Sequence, residues 1–180
     1  MARIPLASSE NLTPEQQRVH DAIVGTRGGR LTAPYRLTLL HSPLVTDKWQ
    51  QLGGVLRNNI ALPPRLAELA IIVTAHCRDC PYVWQAHAPL ALEAGVSAET
   101  VDAIKAGRPQ VSAKPDEQVI HDFCAELCRT NTVQAGTYSR ALDLFGATDV
   151  VELTALAGYY TMVTMALNAH DYDVPLPAQA

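Results

Sequence analysis

Along most of the chain apolar residues recur every three or four positions, the period of a helix with one buried face, while runs alternating apolar with polar between turn residues are missing. Helix punctuation separates the periodic stretches. Thr13-Pro14-Glu15-Gln16 combines an N-cap, a proline at the first helical position and a capping-box glutamine, and Gly25 supplies the stop. GTRGGR (25–30) then reads as a loop. Ser42-Pro43 opens a second helix, in which Gly53-Gly54 is a candidate break, and Pro63-Pro64 opens a third through RLAELAIIVTAH. Asp79, with Pro81 close behind, caps a helix that runs to Gly95, a natural C′ residue. Ser97 to Gly107 repeats that pattern in brief, and KPDEQVIHDFCAELCRTN forms an amphipathic helix ending near Asn131. Two more helices follow, at about 134–145 and about 148–169, ahead of the proline-containing tail DVPLPAQA. The pattern predicts an all-α protein of seven or eight helices, with no internal repeat and no low-complexity segment.

A length of 180 residues fits one domain, taken as 1–180 with a core from about 15 to 177, and 48% hydrophobic residues are enough for a sizeable core. Eighteen acidic against 14 basic residues give a net charge of −4, and no Lys/Arg run forms a phosphate-binding stripe, so nucleic acid is not an expected partner. The N-terminus MARIPLASSENLTPEQQ lacks an apolar signal core, and apolar runs such as LAIIV fall short of a bilayer span. A cytoplasmic protein with no membrane partner is expected. Four cysteines are too few for a disulfide scaffold, and a close pair in a reducing compartment is reactive or simply buried.

Chemistry concentrates in CRDCPYVWQAH, residues 77–87. With Asp79 as cap, Cys80 enters the first turn, where the positive end of the helix favours a thiolate. Cys77, three residues earlier, is near enough in sequence for a disulfide if the turn permits. His87 lies seven residues beyond Cys80, roughly 10 Å along the helix axis, and does not reach that thiol directly. One turn before the histidine, on its own face, stands Val83. Glu68 on the preceding helix comes alongside His87 if the two helices form a hairpin, giving a carboxylate–imidazole pair able to move protons. The plainer reading of Tyr82, Trp84 and His87 is core packing, and Cys124 and Cys128, at i, i+4 beside Phe123 and Leu127, read as core residues too. A four-thiolate zinc site from Cys77, Cys80, Cys124 and Cys128 is disfavoured by the irregular CxxC…CxxxC spacing, so no metal is expected.

Glu68, Cys80, Val83 and His87 together resemble the E-x11-C-x2-C-x3-H pattern of the alkylhydroperoxidase D-like proteins in the carboxymuconolactone decarboxylase superfamily, with valine in place of the second cysteine. LLHSP (39–43), WQAHAPLALEAGVS (84–97) and VELTALAGYYTMVTMALNA (151–169) extend the resemblance from about residue 15 to 177. It implies an all-helical fold with the site on a helical hairpin, and assembly as a homo-oligomer, a trimer or a hexamer of two trimers. In the peroxidase branch the second cysteine is the one peroxide attacks; here that position is Val83, and only Cys80 coincides with a family cysteine, the resolving one.

Two enzymatic readings follow. The first, as the decarboxylase branch implies, is cofactor-independent acid/base chemistry on a small carboxylated cyclic or lactone-like substrate, Glu68 and His87 shuttling protons. His41, Arg36 and Tyr82 are candidate donors to an enolate-like charge, with Trp84 as a further candidate in the substrate pocket. The second is a thiol peroxidase or disulfide reductase with Cys80 as nucleophile and Cys77 as resolving partner, cycling through a sulfenic acid and a disulfide. A binding or assembly module with a decayed site stands as a third. Geometry orders them, because His87 faces a carboxylate and a valine more readily than a thiol. Gly158, Tyr159 and Tyr160 read as helix packing.

Overall fold

Proline placed where a helix has an amide to spare recurs through this chain: five of its helices begin Pro14, Pro43, Pro64, Pro81 and Pro115. The computed structural model describes residues 2–172, so the tail 173–180 lies outside the described residues. Among the described residues the elements are all helical: α1 (Pro14–Thr26), α2 (Ala33–Thr38), α3 (Pro43–Asn58), α4 (Pro64–Cys77), α5 (Pro81–Glu93), α6 (Ala98–Lys105), α7 (Pro115–Thr130) and α8 (Ala135–Ala169). The capping box at Thr13 and Gln16 forms as expected, with the threonine hydroxyl accepting from the Gln16 amide and the Gln16 side chain accepting from the Thr13 amide. Ser97 caps α6 by accepting from the Thr100 amide.

Two local readings change. Gly53-Gly54 does not break α3, which runs unbroken from Pro43 to Asn58. The short α2 carries no strong signal, since its N-cap Thr32 makes no side-chain cap bond; burial of Ala33, Tyr35 and Leu37 holds it instead. Position 146 divides α8 as the sequence indicates: Gly146 has φ 77° and ψ 172°, a backbone conformation that is essentially restricted to glycine. Taken whole, α8 is also long and apolar enough to cross a membrane, unlike the short runs read from the sequence. Half of its apolar window is buried in the protein, as in a core helix.

The described chain falls into two compact units. The first comprises residues 2–59 and 165–172, with α3 packed on α1 and α2. Its buried Asp47 receives hydrogen bonds from Arg18, Gln50 and Gln51. Burial alone would raise that carboxyl, but these donors hold it below the ordinary aspartate value. Arg27 covers the Tyr35 ring at 4.6 Å and donates to its hydroxyl.

The second unit, residues 60–164, is organised around α4, whose residues from Leu69 to Ala75 are all buried. Two helices pack along it: α5 folds back antiparallel, and α7 lies alongside. The start of α4 is tied to the start of α7 by Arg65, which bonds both Asp116 and Glu117. Glu117 is fully buried and also accepts from Lys114, Ser112 and Thr100. A buried charge with so complete a set of partners fixes the helix register rather than merely surviving burial. From α8, Val150, Leu153, Leu156, Ala157, Tyr160 and Val163 add to the core of this unit.

Candidate active site on the α4–α5 hairpin

The turn that creates the site is three residues long. At the end of α4, Asp79 adopts the left-handed conformation with φ 47°, the Cys80 amide donates to the Ala75 carbonyl and the Asp79 amide to the His76 carbonyl. These are the two bonds of a Schellman motif, here with aspartate where glycine is usual. Cys80 is therefore the N-cap of α5, a correction to the assignment of Asp79, and its carbonyl accepts the first α5 bond from Trp84. One residue closes α4 and opens α5, so the helices reverse abruptly and the faces bearing positions 68 and 87 meet.

Across that hairpin Glu68 Oε2 and His87 Nδ1 are 2.7 Å apart. A carboxylate only accepts, so Nδ1 carries the proton and Nε2 is left as the basic nitrogen of the neutral ring. Both side chains are largely enclosed, with 14% exposure at Glu68 and 8% at His87. The Tyr160 ring meets the imidazole edge-on, with centroids 5.1 Å apart and planes at 86°, and Tyr159 packs against Tyr160 in the same manner. Tyr160, whose plainer reading from sequence is packing, thus forms one wall of the imidazole site. Val83, one turn before His87, is buried at 2% exposure and puts hydrocarbon where a thiol would stand.

Both cysteines of the quoted stretch are free thiols. Cys80 is 2% exposed. Burial pushes its thiol above the ordinary value, and the amides of Val83 and Tyr82 at the helix start offset this only in part. The helix end that promised a thiolate is outweighed by desolvation. Cys77 is half-buried, and burial raises its thiol too. Among the described residues no cluster of His, Cys, Asp or Glu has the geometry to hold a metal ion.

The remaining candidates take other places. Trp84 packs its ring against His76, with centroids 6.1 Å apart. Tyr82 stands about 140° around the helix from His87. Arg36 and His41 belong to the first unit, where the Arg36 carbonyl accepts the Ala7 amide and His41 Nε2 donates to the Pro5 carbonyl at 3.0 Å. The residue that sequence reasoning missed is Arg65, one turn before Glu68, which anchors the helix presenting the carboxylate. Its partners lie 51 and 52 positions away, beyond any local pattern.

The comparisons agree with this geometry. Residues 43–114, which span the hairpin, match the model of the Carboxymuconolactone decarboxylase family. The stretch that carries Glu68, Cys80, Val83 and His87 is thus similar to that family. A crystal structure of an alkylhydroperoxidase AhpD core from Ralstonia eutropha JMP134, described as an uncharacterized peroxidase-related protein, superposes with a TM-score of 0.77. That likeness covers 97% of this chain and 92% of the other at 15% identity, so it establishes the AhpD-like fold. No curated protein matches the sequence.

Proposed function

We propose that the protein is a cofactor-independent enzyme of acid/base chemistry, a decarboxylase or isomerase acting on a small carboxylated cyclic or lactone-like substrate. The observation that carries this reading is the 2.7 Å pair of Glu68 and His87 with hydrocarbon, not sulfur, in the preceding turn. In the proposed cycle Nε2 of His87 takes a proton from the substrate, and Glu68 holds the ring tautomer and stabilises the imidazolium that results. The same proton returns to a different substrate atom after the electrons have shifted or carbon dioxide has left. The thiol peroxidase reading, with Cys80 attacking and Cys77 resolving, has less support, because peroxide needs an accessible thiolate and Cys80 is neither exposed nor acidic.

The test offers the full chain two substrates in separate assays: carboxymuconolactone, followed by release of carbon dioxide and by loss of its ultraviolet absorbance, and an organic hydroperoxide with a dithiol reductant. Turnover of the lactone that disappears in His87→Gln supports the proposal. Hydroperoxide consumption that disappears in Cys80→Ser, with an inert lactone, overturns it.

A further inference from the structure

Three cysteines of the second unit lie on two helices that pack together, Cys77 at the end of α4 and Cys124 and Cys128 on α7. The two helices run parallel, since Arg65 at the start of α4 bonds Asp116 and Glu117 at the start of α7, at separations of 51 and 52 residues. Both helices rise about 1.5 Å per residue, so residues equally far from those starts stand at similar heights. Twelve residues beyond Arg65 stands Cys77, and twelve beyond Asp116 stands Cys128, again 51 apart in sequence. Cys124 lies one turn before Cys128 on the same helix face. The mutual electrostatic influence of the Cys77, Cys124 and Cys128 thiols agrees with this register: Cys128 is the sulfur that acts on Cys77, while Cys80 does not figure among its charged neighbours. Cys80 has passed around the Schellman turn and caps α5 instead.

We infer that Cys77 and Cys128 form a redox-sensitive pair that closes to a disulfide stapling the end of α4 to the end of α7. Cys77 is the entry point, being half-buried where Cys124 and Cys128 are buried. The oxidant is a small-molecule disulfide. The Cys77 thiolate attacks one of its sulfurs, forming a mixed disulfide and expelling a thiolate. Cys128 then loses its proton and attacks Cys77 Sγ, expelling the second thiolate. Two electrons pass from the two protein thiols to the small disulfide, and their two protons end on the two released thiols. Arg78 and Arg129 flank Cys77 and favour its ionised form, against the burial that opposes it. The pair is distinct from the CxxC spacing that the sequence advertises, and it works independently of Glu68 and His87.

The test treats the full chain with oxidised glutathione, blocks remaining thiols by alkylation, and digests with trypsin and a glutamate-specific protease. Cleavage after Arg78 and after Glu126 puts each of the four cysteines on its own peptide. The expected result is loss of two free thiols, a linked peptide joining Cys77 to Cys128, reversal by dithiothreitol and a higher Tm for the oxidised form. Cys80→Ser retains the link, whereas Cys128→Ser stops at a glutathione adduct on Cys77. A peptide joining Cys77 to Cys80 or to Cys124, a glutathione adduct that never transfers in the wild-type chain, or no thiol loss overturns the inference. The wild-type digest decides by itself should a variant fail to fold.

Discussion

Glu68 Oε2 lies 2.7 Å from His87 Nδ1 across a three-residue turn, and the carboxylate thereby fixes which imidazole nitrogen is basic. Removing either partner removes a different part of the function. His87→Gln abolishes the base and is expected to lower kcat by about 100- to 10,000-fold. Glu68→Gln keeps a hydrogen bond but not the charge, and it is expected to lower kcat less. Steady-state kinetics on the proposed lactone substrate checks both, and an unchanged rate in His87→Gln contradicts the assignment.

Position 83 offers the converse experiment. Val83→Cys places a thiol one turn before His87 at a site already 2% exposed, with little change in volume. Hydroperoxide reduction above the wild-type level is expected to appear in this variant, coupled to Cys80. An oxygen-consumption-free assay of peroxide loss in the presence of a dithiol reads the gain directly.

The charged anchor beneath the hairpin has a stability signature. Arg65→Met leaves the fully buried Glu117 with Lys114, Ser112 and Thr100 but without its guanidinium, and is expected to cost about 3 kcal/mol in denaturant unfolding. Because Arg65 lies one turn before Glu68, activity should fall with it even below the melting range. A loss of less than about 0.5 kcal/mol would make the pair a surface-like contact.

Acid should unfold the protein in two stages. Burial lowers His121 below its ordinary value of 6.5, against the pull of Asp122, while Arg129 and His76 also disfavour its charge. The unfolded chain therefore binds that proton first, and stability present above pH 6.5 declines as pH falls below it. Burial works against the ionised Asp116 and Glu117, yet the bonds from Arg65, Ser112 and Lys114 hold both below their ordinary values of 3.8 and 4.5. Their contribution is complete above those values and is lost as pH drops through and beneath them. Tm followed across pH shows the two declines, and His121→Gln should flatten the upper one.

Gly146→Ala forces a side chain into φ 77°, ψ 172°, and is expected to cost about 1–3 kcal/mol although nothing crowds the site. Thermal unfolding of the variant measures it; Gly158→Ala, in ordinary helix with equally open surroundings, is expected to gain about 0.5–1 kcal/mol and serves as the control.

Much of this fold was legible because helix ends carry local chemistry: Thr13 with Gln16, Ser97, Gly95 and Gly146 each act through neighbours a few positions away. The Glu68–His87 pair was legible for the same reason, since a hairpin needs only a short turn between two helices. What escaped depended on distant partners. Cys80 sits where a helix start favours a thiolate, but the residues that bury it come from elsewhere in the chain and decide its chemistry. Arg65 gave no sign of its role because its carboxylates come from a helix three elements later. The short α2 is held by burial rather than by a cap, and Gly53-Gly54 stays helical because packing of α3 offsets about 1 kcal/mol per glycine of poor propensity.

Val83 also bears on durability. Hydrocarbon cannot be driven up the ladder from sulfenic to sulfonic acid, so position 83 offers no sulfur for an oxidant to consume. The thiols nearest in sequence to that turn are Cys80, buried at the start of α5, and Cys77, half-buried at the end of α4.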